Sequence, residues 1–434
     1  MAISGDPLQT GQDRRSRARR VHPAWLIAAV AFLALVAAAG FRAAPSALIE
    51  PLQSEFGWST SAISVSVTVN LLLFGLTAPF AAALIQRFGV RRITTVALSL
   101  VAAGAALSVL STAPWMLTLT WGVLIGLGTG SMALVFAASI ADTWFLERRG
   151  LVVGILTAGS ATGQLVFLPL VAVVAESSGW RWATLAVATA AFLMVPVVAG
   201  FLRDRPEHLG VTPFGAPDGW QPPQRSSGNP ARAALAALRD ASRSRTFWAL
   251  VAGFAICGAT TNGLVGTHFI PSAHDHGMPQ TTAAGLLALV GVFDIVGTIG
   301  SGWLTDRVNP RILLGVYYIG RGIGLAVLPL LLDATVNPPM LVFIIVYGLD
   351  WVATVPPTVA LCREAFGDRG PLVFGWVFAA HQLGAAVAAL TAGLIRDHTG
   401  QYTLAWFGAA GLCAVAAVIS VAIRRPGTRP QAQA

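Results

Sequence analysis

GVFDIVGTIGSGWLTDRVNPR, residues Gly291 to Arg311, is apolar for most of its length and ends in a charge cluster. Asp306 and Arg307 stand where the apolar run stops, whereas Asp294 lies in the middle of it. The closing pattern, Gly302, Asp306, Arg307 and Arg311, has a weaker copy in the first half of the chain. There QRFGVRR carries Gln86, Arg87, Gly89, Arg91 and Arg92, and Gln86 precedes Asp306 by 220 residues. Gly57 and Gly277, and Gly150 and Gly370, stand at the same offset of 220, and Gly179 and Gly400 at 221. Four landmarks in one register predict two repeats in the same orientation, related by an axis along a membrane normal.

Composition says what each repeat contains. The 434 residues are 55% hydrophobic and 11% charged, with mean hydropathy +0.70, more apolar surface than an ordinary water-soluble core can bury. Roughly 20 apolar residues at 1.5 Å each cross the hydrocarbon of a bilayer. Twelve such runs are expected, near 25–48, 60–84, 93–112, 116–141, 150–174, 180–202, 247–270, 282–304, 311–332, 339–361, 372–395 and 402–424. They lack the period-two alternation of a barrel, so the expected class is an all-α membrane protein with two six-helix repeats. The expected division is a basic tail over 1–23, a six-helix bundle over 24–202, a linker over 203–245, a second bundle over 246–424 and a tail over 425–434. The linker is rich in Arg, Pro, Gly and Ser, with a short surface helix expected near 231–241.

All 28 basic residues are arginine, and the net charge is +9. The excess is no nucleic-acid footprint. Only Arg42, Arg181, Arg321 and Arg396 lie away from the segments that alternate onto one side, so 24 of 28 share a face. The positive-inside rule makes that face cytoplasmic, with both termini, in a multi-pass protein of the bacterial cytoplasmic membrane. RRSRARR before an apolar run, with APSA beyond, imitates a secretory signal, but the length of the first span and the eleven that follow argue for its retention. Cys257, Cys362 and Cys413 suit neither a disulfide scaffold nor a zinc site, and no metal or cofactor is expected.

Twelve spans in two parallel repeats, with this loop after the second span of each, resemble the major facilitator superfamily across essentially the whole chain. The loop motif there is G-x-x-x-D-R-x-G-R-[RK]. The second copy has Asn309 for the later glycine, and the first has Ala82 and Gln86 for the leading glycine and the acid. EPLQSEFGWS, WFLERRGLVVGILTAGSATG and LRDRPEHLG further resemble the monocarboxylate transporter and oxalate:formate antiporter branch. Its animal members carry D-x-x-x-R in the eighth span; here Asp294 fits the acid and Thr298 takes the arginine's place. The resemblance also sets a basic residue near Arg42 and matches His381 to a lysine of the antiporter's eleventh span.

An ionisable side chain in hydrocarbon costs about 2.5–3.5 kcal/mol on insertion scales, so it faces a partner or a water-filled path. Asp294 is expected to line the path and carry a proton, or else to sit in a buried salt bridge. Arg321 and Asp350 supply a structural ion pair in spans nine and ten. Arg42 can grip a carboxylate by two parallel hydrogen bonds, or snorkel to the outer headgroups. His381, with Gln382, suits a proton-linked anion site or a hydrogen bond to a neighbouring helix. Asn70, Gln164, Asn262 and His268 are further candidates for the substrate-binding wall, each with interhelical bonding as the alternative. Gly122, Gly126 and Gly130, and likewise Gly150 and Gly154, recur every four residues and predict close helix packing.

No nucleotide-binding or hydrolytic motif is present, so an enzyme is not expected. The expected function is secondary active transport of a small organic anion, a mono- or dicarboxylate, coupled to protons or by exchange, in a monomer surrounded by lipid. Efflux of a hydrophobic compound, with Trp121, Phe254, Trp351 and Trp376 as an aromatic wall, is one alternative. A membrane sensor that binds solute without moving it is another.

Overall fold

The computed structural model describes residues 22–132, 134–217, 219–221 and 229–423. The basic tail before residue 22, the tail beyond 423 and part of the linker lie outside them. The architecture is all helical; the one β pairing among the described residues is an isolated bridge between Phe145 and Phe214.

Twelve helical segments follow the expected order. They are α1 (Pro23–Phe56), α2 (Thr60–Phe88), α3 (Val90–Ser108), α4, α5 (Arg149–Ser178), α6 (Trp180–Phe201), α7, α8 (Gln280–Thr305), α9 (Pro310–Leu331), α10, α11 (Gly370–Thr399) and α12 (Thr403–Ala422). Three are irregular. The segment α4 runs through Pro114–Leu117, a π turn over Thr118–Ile125, Gly126–Ser131 and Leu134–Trp144. The segment α7 comprises Arg245–Gly258, a π turn over Ala259–Val265 and Gly266–Asp275, and α10 is split into Pro338–Asp350 and Val355–Phe366. Ten runs among the described residues are long and apolar enough to cross a membrane. They omit the interrupted α4 and join α10 with α11 as one stretch, Pro338–Thr399. The expected linker helix appears as Pro230–Ala241, with Asn229 capping its first turn.

The repeat landmarks have a local cause. Gly57, Gly277, Gly179 and Gly400 all join consecutive helices at φ between 67° and 93°, where a Cβ would be strained. The spacing of Gly122, Gly126 and Gly130 also has its predicted effect. A Cβ on each would stand 2.9–3.0 Å from Val69, Asn70 or Phe74, so α4 lies backbone to backbone on α2. Gly150 and Gly154 correct the expectation. A Cβ on either would meet no neighbouring segment within 4 Å, and the tightly packed glycines of α5 are instead Gly159 and Gly163, pressed on Leu35 and Val36 of α1.

Three helix pairs join the first six segments to the last six: α2 with α11, α5 with α8, and α1 with α7. Nearer mid-helix, Thr68 of α2 donates to the Ala386 carbonyl of α11 at 3.1 Å, and further polar bonds across this seam gather at one end. Asp397 of α11 accepts the Thr60 and Ser61 N–H groups at 3.0 and 2.9 Å, capping α2, and Gln280 of α8 donates to Glu50 of α1 at 2.8 Å. Beside them Arg396 of α11 grips Asp275 of α7 through Nε and Nη2, at 2.7 and 2.8 Å.

Candidate functional site

Where the helix pairs meet, a central cavity of about 60 Å³ is lined from both halves. The segment α1 contributes Phe41, Arg42 and Pro45, α2 Asn70 and Phe74, α4 Trp121, and α5 Ser160 and Gln164. The other half contributes Asn262 and Thr267 of α7, Trp351 of α10 and Gln382 of α11. The irregular stretches of α4, α7 and α10 are thus the ones that carry Trp121, Asn262 and Trp351 to the cavity.

Arg42 dominates its electrostatics. It is exposed, yet the exposure is to this cavity, and its guanidinium lies 5.2 Å from the centre of the Phe74 ring. Among the described residues it forms no ion pair, and the cavity lining contains no carboxylate. Around it stand amides. Asn70 donates to the Trp121 carbonyl at 2.7 Å, while the Gln382 Oε1 is buried without a partner. A cation with amide donors and ring walls has the chemistry to receive a compact anion with an apolar body.

The remaining sequence candidates sit elsewhere. His381 is buried between Phe254 and Phe378, with ring centres 4.8 and 5.9 Å away, and its Nδ1 has no partner; its neighbour Gln382 is the one that reaches the cavity. His268 is wholly buried, bonded through Nε2 to the Ala389 carbonyl at 2.8 Å and through Nδ1 to the Tyr402 hydroxyl at 3.3 Å, and the residue before it, Thr267, lines the cavity instead. Of the aromatic set, Trp121 and Trp351 line the cavity. Phe254 packs on Phe374 and His381, and Trp376 donates to Ala234 of the linker helix.

Asp294 stands behind the cavity, at the break in α10. Pro357 has no N–H, so the Ala353 carbonyl lacks a helical donor, and the Ser301 hydroxyl supplies one at 2.5 Å. Trp351 N–H takes the Gly348 carbonyl in a tight turn, which leaves the Val352 N–H free. Asp294 Oδ1 accepts that N–H at 3.1 Å and the Thr298 hydroxyl at 3.0 Å. On the other side Arg321 Nε bonds Asp350 Oδ2 at 2.6 Å, and its Nη2 reaches the Asp350 and Trp351 carbonyls at 2.6 and 3.3 Å. The expected Arg321–Asp350 pair therefore forms, and both it and Asp294 hold the interrupted backbone whose Trp351 walls the cavity.

The two loop motifs differ. Arg311 is buried against Glu364 at 2.8 Å and the Ile423 carbonyl at 2.9 Å, and Arg307 lies over the Trp303 ring. In the first copy Arg87, Arg91 and Arg92 are exposed; Gly89 turns at φ 88° beside Asp204, whose carboxylate accepts the Arg91 N–H at 2.8 Å.

Residues 30–370 match the description Major Facilitator Superfamily. The chain belongs to that superfamily. It is accordingly a multi-pass membrane transporter of small molecules and not an enzyme. It is 28% identical over 389 residues to the uncharacterized MFS-type transporter YcxA of Bacillus subtilis (strain 168), covering 88% of this chain and 90% of the relative. It is 27% identical to monocarboxylate transporter 11 of Mus musculus over 398 residues, covering 87% of this chain and 82% of that one, in keeping with the resemblance to the monocarboxylate branch. Among solved structures, a D-xylose-proton symporter aligns with TM-score 0.70 at 17% identity over 92% of this chain and 97% of its own, a likeness of fold.

Sequence reasoning missed Ser160, Thr267 and the seam residues Glu50, Gln280 and Asp397. Ser160 was findable, one helical turn before Gln164 on the same face. The seam residues gave no signal, because partners more than 200 residues apart in sequence leave no local pattern.

Proposed function

We propose that this superfamily member is a secondary active transporter of a small organic anion, preferentially a monocarboxylate, working by alternating access. One observation carries the reading: among the described residues Arg42 forms no ion pair, and it lies in a central cavity whose lining holds no carboxylate. A charge held away from bulk water calls for a counter-charge, and one guanidinium matches one carboxylate in a bidentate pair. Phe41, Phe74, Trp121 and Trp351 then accept the short apolar body, and Asn70, Gln164, Asn262, Thr267 and Gln382 supply bonds for a hydroxyl or keto oxygen. The similarity to proteins named monocarboxylate transporters supports the same class.

The first and second sets of six segments rock about this cavity, with 24–202 and 246–424 as the two bodies and the linker between them. The end bearing Arg87 and Arg307 faces the cytoplasm of a bacterial cell, with both termini, by the arginine distribution. The seam of Asp397, Glu50 and Gln280 then closes the outer mouth. Asp294 is the proton carrier: protonation weakens its hold on the Val352 N–H, and so reaches Trp351 and the cavity through the α10 break. His381 and His268 support α7 and α11 rather than touch the substrate. The protein acts as a monomer in its lipid.

Counterflow in vesicles tests the reading. Purified protein should exchange labelled short monocarboxylates, accumulate them under a pH gradient, and lose both on Arg42→Gln with folding intact. Transport of bulky apolar compounds without competition by carboxylates would favour efflux, for which the four-ring wall is the supporting observation. Saturable binding without counterflow would favour a sensor.

A further inference from the structure

A second basic feature lies far from the central cavity. At the Arg87 end, a crevice of about 1790 Å³ opens between α2, α3, α4, α6 and the start of the linker helix. Four guanidinium-bearing residues line it, Arg87, Arg91, Arg92 and Arg205, together with His208. Only two carboxylates share the lining, Asp142 and Asp204, and Asp204 is engaged with the Arg91 backbone N–H. Among the described residues none of the four arginines forms an ion pair.

The internal repeat shows how this excess arises. At the offset of 220, Arg91 corresponds to Arg311, which Glu364 neutralises; the residue corresponding to Glu364 is Trp144, and the one corresponding to Asp306 is Gln86. The first repeat keeps the arginines and lacks both acids. Phe80, Leu84, Val96 and Ala199 line the same crevice, and Phe88 and Val96 are 45% and 57% exposed, so it is basic toward one side and apolar toward the other. A freely soluble anion has no use for the apolar wall.

We propose that this crevice binds the headgroup of an anionic phospholipid, with the arginines on its phosphate and the acyl chains along the apolar wall. Basic pockets between helices at the cytoplasmic boundary are suited to such headgroups, and each nearby arginine contributes about fivefold in affinity.

The test is a titration of the purified full chain in neutral detergent with phosphatidylglycerol and, separately, phosphatidylcholine, followed by native mass spectrometry. Phosphatidylglycerol should bind at least tenfold more tightly. Arg87→Gln with Arg205→Gln, both on side chains free of ion pairs among the described residues, should weaken it roughly 25-fold, while Arg307→Gln with Arg363→Gln, at the same end but outside the crevice, should leave it unchanged. Millimolar inorganic phosphate should not displace it. Equal retention of the two lipids by the unaltered protein, equal losses in the two double variants, or displacement by inorganic phosphate would each overturn the assignment.

Discussion

Asp294 of α8 accepts the N–H of Val352 in α10 at 3.1 Å, so the carboxylate placed at membrane depth holds a peptide that the neighbouring chain break has left without a helical partner. The same oxygen takes the hydroxyl of Thr298, which stands where animal monocarboxylate transporters carry arginine. The structural role and the proposed proton-carrying role thus fall on one group, and substitution can separate them.

Asp294→Asn keeps an oxygen acceptor for Val352 and Thr298 while removing the titrating charge. Its thermal stability should change by less than about 1 kcal/mol, whereas accumulation against a pH gradient should vanish and exchange persist. Undiminished accumulation in vesicles would end the proton-carrier role.

Arg42→Gln should weaken carboxylate binding by about 30-fold or more, the 2–5 kcal/mol expected when one partner of a buried charge pair is truncated. Arg42→Lys should recover only part of this, because an ammonium offers no planar fork. Ligand-protected unfolding temperatures across a carboxylate series provide the measurement.

Arg321 is fully buried and its partner Asp350 nearly so. Arg321→Met alone should cost roughly 3–5 kcal/mol by stranding Asp350, and Arg321→Met with Asp350→Leu should restore most of it. Recovery is expected to be incomplete, since Arg321 also holds the Asp350 and Trp351 carbonyls at the α10 break. A double-mutant cycle by chemical denaturation measures both.

A Cβ at Gly297 would overlap the Leu349 carbonyl, whereas one at Gly154 would meet nothing within 4 Å. Gly297→Ala should therefore abolish or strongly destabilise the folded protein, and Gly154→Ala should leave it as stable or slightly more so. Yield and melting temperature distinguish the two.

Asp397→Ala removes both acceptors from the start of α2 and should shift the population toward an outer-open form by several-fold. With Ser160→Cys as reporter in the cavity, labelling by an impermeant thiol reagent from outside should quicken accordingly. The native cysteines are buried.

Much of the fold was legible in the sequence, because a bilayer leaves few solutions. Apolar runs of about 20 residues must be helices, most arginines are expected on one side, and Gly57, Gly277, Gly179 and Gly400, paired at offsets of 220 and 221, mark turns that need positive φ. Arg42, Asn70, Gln164, Asn262 and Gln382 were likewise found as polar groups at membrane depth, and all five line the cavity.

The tertiary structure alone decided which way each polar group faces. His381 and Gln382 are neighbours on one helix, and only the second reaches the cavity; Asp294 lies mid-helix, as Arg42 does, yet it serves the α10 break. Depth follows from counting residues along a helix, whereas facing and partnership depend on helix rotation, π turns and chain breaks, which are fixed by contacts between segments far apart in sequence.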